Sequence, residues 1–115
     1  MYAELLIAQI RPDAEDRACA VYREQMLPPL KEAPGYDASF LLTDLDVGKA
    51  VMIVIWETEA DVTAERTNGN LQRRIALLSD VLAAPVLTEV YELTSADALS
   101  TIPDSKCFDI AESIA

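Results

Sequence analysis

Residues 34–61 read Pro34-Gly35-Tyr36-Asp37-Ala38-Ser39-Phe40-Leu41-Leu42-Thr43-Asp44-Leu45-Asp46-Val47-Gly48-Lys49-Ala50-Val51-Met52-Ile53-Val54-Ile55-Trp56-Glu57-Thr58-Glu59-Ala60-Asp61. A Pro-Gly turn opens an apolar run over Tyr36–Asp44, and a second run over 50–57 ends in the only tryptophan. Between them Leu45 to Lys49 is short enough for a hairpin connection, with Gly48 free to take positive φ. Thr58 and Asp61 then stand at the spacing of a capping box, so the second strand feeds directly into a helix. These 28 positions (34 to 61) predict strand, turn, strand and helix start in that order.

Working outward, residues 2–10 mix aliphatic side chains with isolated polar ones and read as a first strand, closed by Arg11-Pro12-Asp13. Asp13 is expected to cap a first helix whose buried stripe runs Ala18, Cys19, Tyr22, Met26 and Leu30. Pro28-Pro29 should perturb its last turns, because proline brings no backbone donor and crowds the preceding turn. After Thr58 the apolar stripe of a second helix runs Ala60, Ala64, Leu71, Ile75, Leu78 and Leu82, with a break expected at Asn68-Gly69-Asn70. Pro85 opens a last strand through Leu93. Residues 95–115 are acidic and weakly periodic and read as a tail, with Ile102, Phe108, Ile110 and Ile114 apolar enough to lie on a partner subunit.

The order is β-α-β-β-α-β. Right-handed crossovers then give an α+β domain of ferredoxin-like topology: a four-stranded antiparallel sheet, strands one and three central, both helices on one face. The central strands are apolar on both sides, with Val51, Ile53 and Ile55 opposite Met52, Val54 and Trp56, and Leu5 and Ile7 opposite Leu6 and Ile10. Edge strands are more polar. The helix-free face therefore wants cover, and a second copy is always available, so a homodimer of sheets packed face to face is expected. Residues 95–115 folded back over that face would instead permit a monomer.

Composition limits the functions on offer. At 115 residues with 51% hydrophobic side chains, one globular domain with a modest core is expected. Twenty acidic against nine basic residues give a net charge of −11, which disfavours nucleic-acid and anionic-membrane partners. No apolar run approaches a membrane span, and the amino-terminal residues carry no secretory pattern. Cys19 and Cys107 have no C-x-x-C spacing and form no disulfide framework, so a reducing cytoplasm is expected, with Cys19 a buried, protonated, inert thiol. The chain has no histidine, no metal-ligand cluster and no phosphate loop.

Met26-Leu27-Pro28-Pro29-Leu30 near the end of the first helix, Pro34-Gly35-Tyr36 at the second strand, and Trp56-Glu57-Thr58-Glu59-Ala60-Asp61 at the third-strand exit are the residues that carry a resemblance. Over residues 1–94 the chain resembles the antibiotic biosynthesis monooxygenase domain of the dimeric α+β barrel superfamily. The resemblance implies a homodimer, no cofactor, and a pocket for a planar aromatic or quinol-like compound that itself supplies electrons to dioxygen. It leaves two other readings open: a non-catalytic binding or assembly module of the same fold, and a cyclase or isomerase on the same barrel. Haem-degrading members use a first-strand asparagine, a third-strand tryptophan and a second-helix histidine. Only Trp56 matches, so haem degradation is not expected.

The residues themselves nominate a pocket of Trp56, Tyr22, Tyr36 and Phe40, the last two alternating along one face of the second strand. Each is also explained without a ligand: a buried indole or phenol fills volume and satisfies one polar partner, and cross-strand aromatic pairs stabilise sheets. Arg73 and Arg74 are expected on an exposed helix face, paired with surface carboxylates. Glu15-Asp16 and Glu57/Glu59 fall at helix starts, where the helix dipole accounts for them. No catalytic acid–base pair is legible.

Overall fold

The computed structural model describes residues 1–97; the tail expected over 95–115 lies outside it from residue 98 onward. Four strands form one antiparallel sheet: β1 (Tyr2–Gln9), β2 (Tyr36–Asp44), β3 (Lys49–Trp56) and β4 (Leu87–Glu92), in the order β2-β3-β1-β4. The central pair and the two edges are those expected from the crossover rule. Helical segments α1 (Glu15–Val21) and α2 (Leu27–Lys31), joined by a π turn over Tyr22–Met26, form one layer element, and α3 (Glu59–Thr67) with α4 (Asn70–Ala76) the other.

Register fixes which residues face the helices. Leu6 pairs with Met52 and Ala8 with Ala50, and all four point toward the helical layer with Glu4, Val54 and Trp56. The core is completed by Met26, Leu30, Val62, Leu71 and Val81, each under 5% exposed. On the other face Phe40, Leu42, Leu87 and Tyr91 stand 39%, 50%, 64% and 54% exposed, flanking partly buried Leu5, Ile7, Val51 and Ile53. Both sides of the central strands are apolar, as expected; within the described chain one is packed and the other is open.

The hairpin closes through a 3-10 turn over Leu45–Val47 and Gly48 at φ +66°, where a Cβ would lie 2.6 Å from the Ile10 carbonyl oxygen. That contact is required: the Ile10 N–H donates to the Gly48 carbonyl at 2.6 Å, tying the hairpin to the end of β1. Thr58 caps α3 as expected. The Thr58 hydroxyl accepts from the Asp61 N–H at 3.2 Å, and the Asp61 carboxylate accepts from the Thr58 N–H at 3.1 Å. Gly35, at φ +82°, sits so close that a Cβ would fall on the Asp61 carboxylate. The Pro-Gly-Tyr and Thr-Glu-Ala-Asp stretches are thus two sides of one contact.

Several sequence expectations fail locally. Asp13 does not cap the first helix: its φ is +67°, the cap position falls to Ala14, and no side chain accepts there. Pro28-Pro29 do perturb the helix, as expected, while occupying its continuation at the start of α2. The disturbance moves upstream into the π turn, where the Leu27 N–H reaches the Tyr22 carbonyl. Widening this turn accommodates carbonyls that Pro28 and Pro29 could neither bond nor approach in α geometry. The helix break at Asn68-Gly69-Asn70 is present, with Gly69 at φ +86°.

The inward face of α3 is also not the apolar stripe expected. Ala60 and Ala64 are exposed, and Val62 and Glu65 are buried. Hydrophobic periodicity missed this face because half of it is charged.

Candidate functional site

Two regions of the sheet–helix layer hold chemistry. The first is a cavity of about 50 Å³ between the sheet and α1, open to solvent on one side. Leu6, Ala8, Ala50 and Met52 form its floor, and Ala18, Cys19, Tyr22 and Met26 its roof. The space exists because small residues meet there: the Ala8–Ala50 cross-strand pair lies below and Ala18 above. Polar groups reach the wall from Glu15, Tyr22 and Thr43. An apolar cavity of about 150 Å³ takes benzene, so a ring system of two or more rings must displace the wall or extend through the open mouth.

Tyr22 starts the π turn and is half-buried, and burial pushes its phenol above the ordinary tyrosine value, with the Ser39 hydroxyl pulling the other way and the nearby Tyr36 adding to the rise. At neutral pH it is a neutral hydroxyl facing an apolar space. Ser39 in turn shares a 2.9 Å hydrogen bond with the Tyr36 hydroxyl.

The second region is a charged cluster beneath α3 and α4. Glu4, on β1, is fully buried; its carboxylate accepts from the Trp56 indole N–H at 3.4 Å and from Arg66 Nε at 3.3 Å. Arg66 Nη2 also lies 3.3 Å from Glu4 Oε2, but out of line, and is left buried with no hydrogen bond. Glu65 accepts from Arg74 Nη1 at 2.7 Å and from the Asn70 amide at 2.9 Å, with both charged side chains nearly sealed from solvent. A paired charge at this depth is tolerated only because its partners are in place.

Of the four aromatics nominated by sequence, Tyr22 lines the cavity and the others do not. Trp56 is fully buried and its ring meets Tyr36 edge-on at 6.4 Å, with its N–H committed to Glu4. Tyr36 and Phe40 do not share a face. A bulge between Tyr36 and Ala38 inserts one residue, leaving Tyr36 on the helix side with Trp56 while Phe40, paired with Ile53, points to the open face. One extra residue in a period-2 pattern inverts every side chain on one side of it.

Other expectations are corrected here. Arg74 is buried rather than on an exposed face; only Arg73 is exposed, bonded to Asn70. Cys19 is disulfide-bonded, which overturns the inert thiol and removes the support it gave to a reducing compartment. Glu15, expected to serve only the helix start, lies on the cavity wall. The sequence held no sign of this, since its position depends on the sheet beneath. Glu4 could have been noticed as a lone acid in an apolar strand. Among the described residues no group of His, Cys, Asp and Glu is arranged to hold a metal, and no helix is long and apolar enough to cross a membrane.

No family model matches the sequence, nor does any curated protein. Solved structures do match the fold. A protein of Nitrosomonas europaea assigned to the antibiotic biosynthesis monooxygenases aligns with TM-score 0.69 at 18% identity, over 83% of this chain and 100% of its own. SnoaB, a cofactor-independent oxygenase from Streptomyces nogalater, aligns with TM-score 0.68 at 11% identity, over 83% and 94%. The ActVA-Orf6 monooxygenase of Streptomyces coelicolor, in complex with nanaomycin D, aligns with TM-score 0.64 at 17% identity, over 86% and 92%. At these identities the likeness is one of fold, and the fold is the ferredoxin-like α+β architecture of the antibiotic biosynthesis monooxygenases.

Proposed function

We propose that this chain, having the fold of the antibiotic biosynthesis monooxygenases, is a small-molecule-binding protein that takes a planar aromatic or quinol-like compound into the cavity between its sheet and α1. The observation that carries the reading is that cavity: apolar floor and roof, a neutral phenol at Tyr22, and a π turn in the wall. Such turns recur at ligand sites because the widened backbone re-aims side chains. The fold's occurrence in a cofactor-independent oxygenase, and in a monooxygenase with a bound ligand, supports the same class of compound.

Within this proposal the chemistry is the substrate's. An electron-rich hydroquinone donates electrons to dioxygen, and the protein excludes water and orients the ring with Tyr22 as hydrogen-bond donor. Trp56 and Tyr36 would act one layer back, holding the sheet edge beside the cavity. Phe40 belongs to a different surface. With Leu42, Leu87 and Tyr91 it would form the contact between two protomers, burying the open sheet face at a gain of about 25 cal/mol per Å² of apolar area. Sedimentation at micromolar concentration is expected to show a dimer, and a persistent monomer would remove that part of the proposal.

Oxygen uptake with a panel of mono-, bi- and tricyclic hydroquinones tests the enzyme reading; consumption that exceeds autoxidation and is lost in Tyr22→Phe supports it. A non-catalytic binding module is favoured by one specific observation: the buried acidic and basic groups at α3 and α4 are engaged with one another, and none of them lines the cavity. Saturable binding without uptake by any member of the panel would establish that second reading.

A further inference from the structure

Among the described residues, the wall of the cavity carries one charged side chain, Glu15, and no lysine or arginine. Glu15 is partly buried, and among the described residues no ion pair or hydrogen bond engages its carboxylate; the nearby Arg17 is bridged instead to Asp80 at 2.6 Å. A carboxylate offers acceptors alone, and Thr43 adds a hydroxyl that can also accept. The remaining described wall is apolar except for the Tyr22 hydroxyl, with sulfur from Cys19, Met26 and Met52 among its aliphatic groups. A ligand lying in this space therefore meets an unneutralised negative charge at one edge and hydrocarbon around it.

We infer that Glu15 is the specificity-determining residue of the cavity, and that the ligand is an apolar ring system whose polar edge is a hydrogen-bond donor, an amine or a hydroxyl, and not a carboxylate. The inference rests on the proposed ligand cavity and adds the polarity of the compound it takes. A protonated amine gains a hydrogen bond at Glu15 with opposite charges paired, a neutral hydroxyl gains one assisted by the carboxylate's charge alone, and an anion brings like charges together. The chain's charge of −11 disfavours anions everywhere on its surface, so the local contribution is isolated only by changing Glu15 itself.

The test compares three probes of one shape on the full chain by fluorescence titration: 2-naphthylmethylammonium, 2-naphthol and 2-naphthoate. The ammonium probe is expected to bind about tenfold tighter than naphthol, and naphthoate about tenfold weaker, each step near the size of one charge-assisted contact. In Glu15→Gln the two charged probes should move toward naphthol, and an unchanged emission spectrum from Trp56, the only tryptophan, reports an intact fold. Should Glu15→Gln fail to fold, added salt on the unaltered protein must narrow the same spread. Naphthoate binding as tightly as naphthol, or an order unmoved by the variant or by salt, overturns the role of Glu15 alone. If none of the three binds, the ligand cavity falls and this inference with it.

Discussion

Beneath α1 and the π turn the inner face of the sheet is built from Leu6, Ala8, Ala50 and Met52, and space is left over. Beneath α3 and α4 the same face carries Glu4, Val54 and Trp56, and the interior is filled with ion pairs. The two regions share strands β1 and β3 and differ by one turn of pleat. In the first, alanine opposite alanine leaves a void that costs little, because dispersion contacts are lost without any stranded polar group. In the second, every charge must find its partner or the region does not fold. Space resides where packing is incomplete, and conformational definition resides where it is most demanding.

The contrast is broken most severely by unpairing the charged half. Glu65→Leu strands the Arg74 guanidinium and is expected to cost about 3–5 kcal/mol in urea unfolding, while the double variant Glu65→Leu/Arg74→Met recovers most of that loss. A single variant no worse than the double would mean that the pair is not sealed as described. Glu4→Gln keeps the shape but weakens the acceptor for Trp56 and Arg66, at about 1–3 kcal/mol. Fluorescence from the only tryptophan should shift with it, and an unchanged spectrum would separate Trp56 from Glu4.

On the cavity side the effects are smaller. Ala8→Val fills space already empty and should leave stability within about 1 kcal/mol, yet abolish binding of the naphthyl probes. A loss as large as that of Glu65→Leu would show that no such space exists. Tyr22 gives the smallest signal, and its sign is set by burial. Its phenol is held neutral to higher pH than in the unfolded chain, so its contribution is whole below the ordinary value of about 10 and fades as pH climbs through the raised one. Tyr22→Phe should therefore flatten the alkaline limb of a stability–pH curve and leave the neutral region in place. An identical alkaline limb in both proteins would place Tyr22 in solvent.

Legibility followed the range of the interactions. The hairpin, the capping box at Thr58 and Asp61, the break at Gly69 and the two-sided apolar character of β3 depend on residues within a few positions of one another, and each was readable. Tyr22 was found because its place on the helix stripe put it under the sheet. Phe40 was misaligned with Tyr36 because a bulge leaves no mark in an alternating pattern that remains apolar through it. Arg74 looked like a surface charge because burial of a charge depends on a partner, and its partner Glu65 stands on another helix.

The sequence by itself determined the elements, their order and the sheet they must build, since helical and strand periods, glycine turns and caps are set by local sterics and hydrogen bonding. Tertiary structure alone decided where a cavity would open and which charges would be sealed. Glu4 meets Arg66 across 62 positions of chain, and Glu15 meets an alanine-floored space made by two strands. Such encounters are fixed by how layers close on one another, a long-range outcome that no window of residues contains.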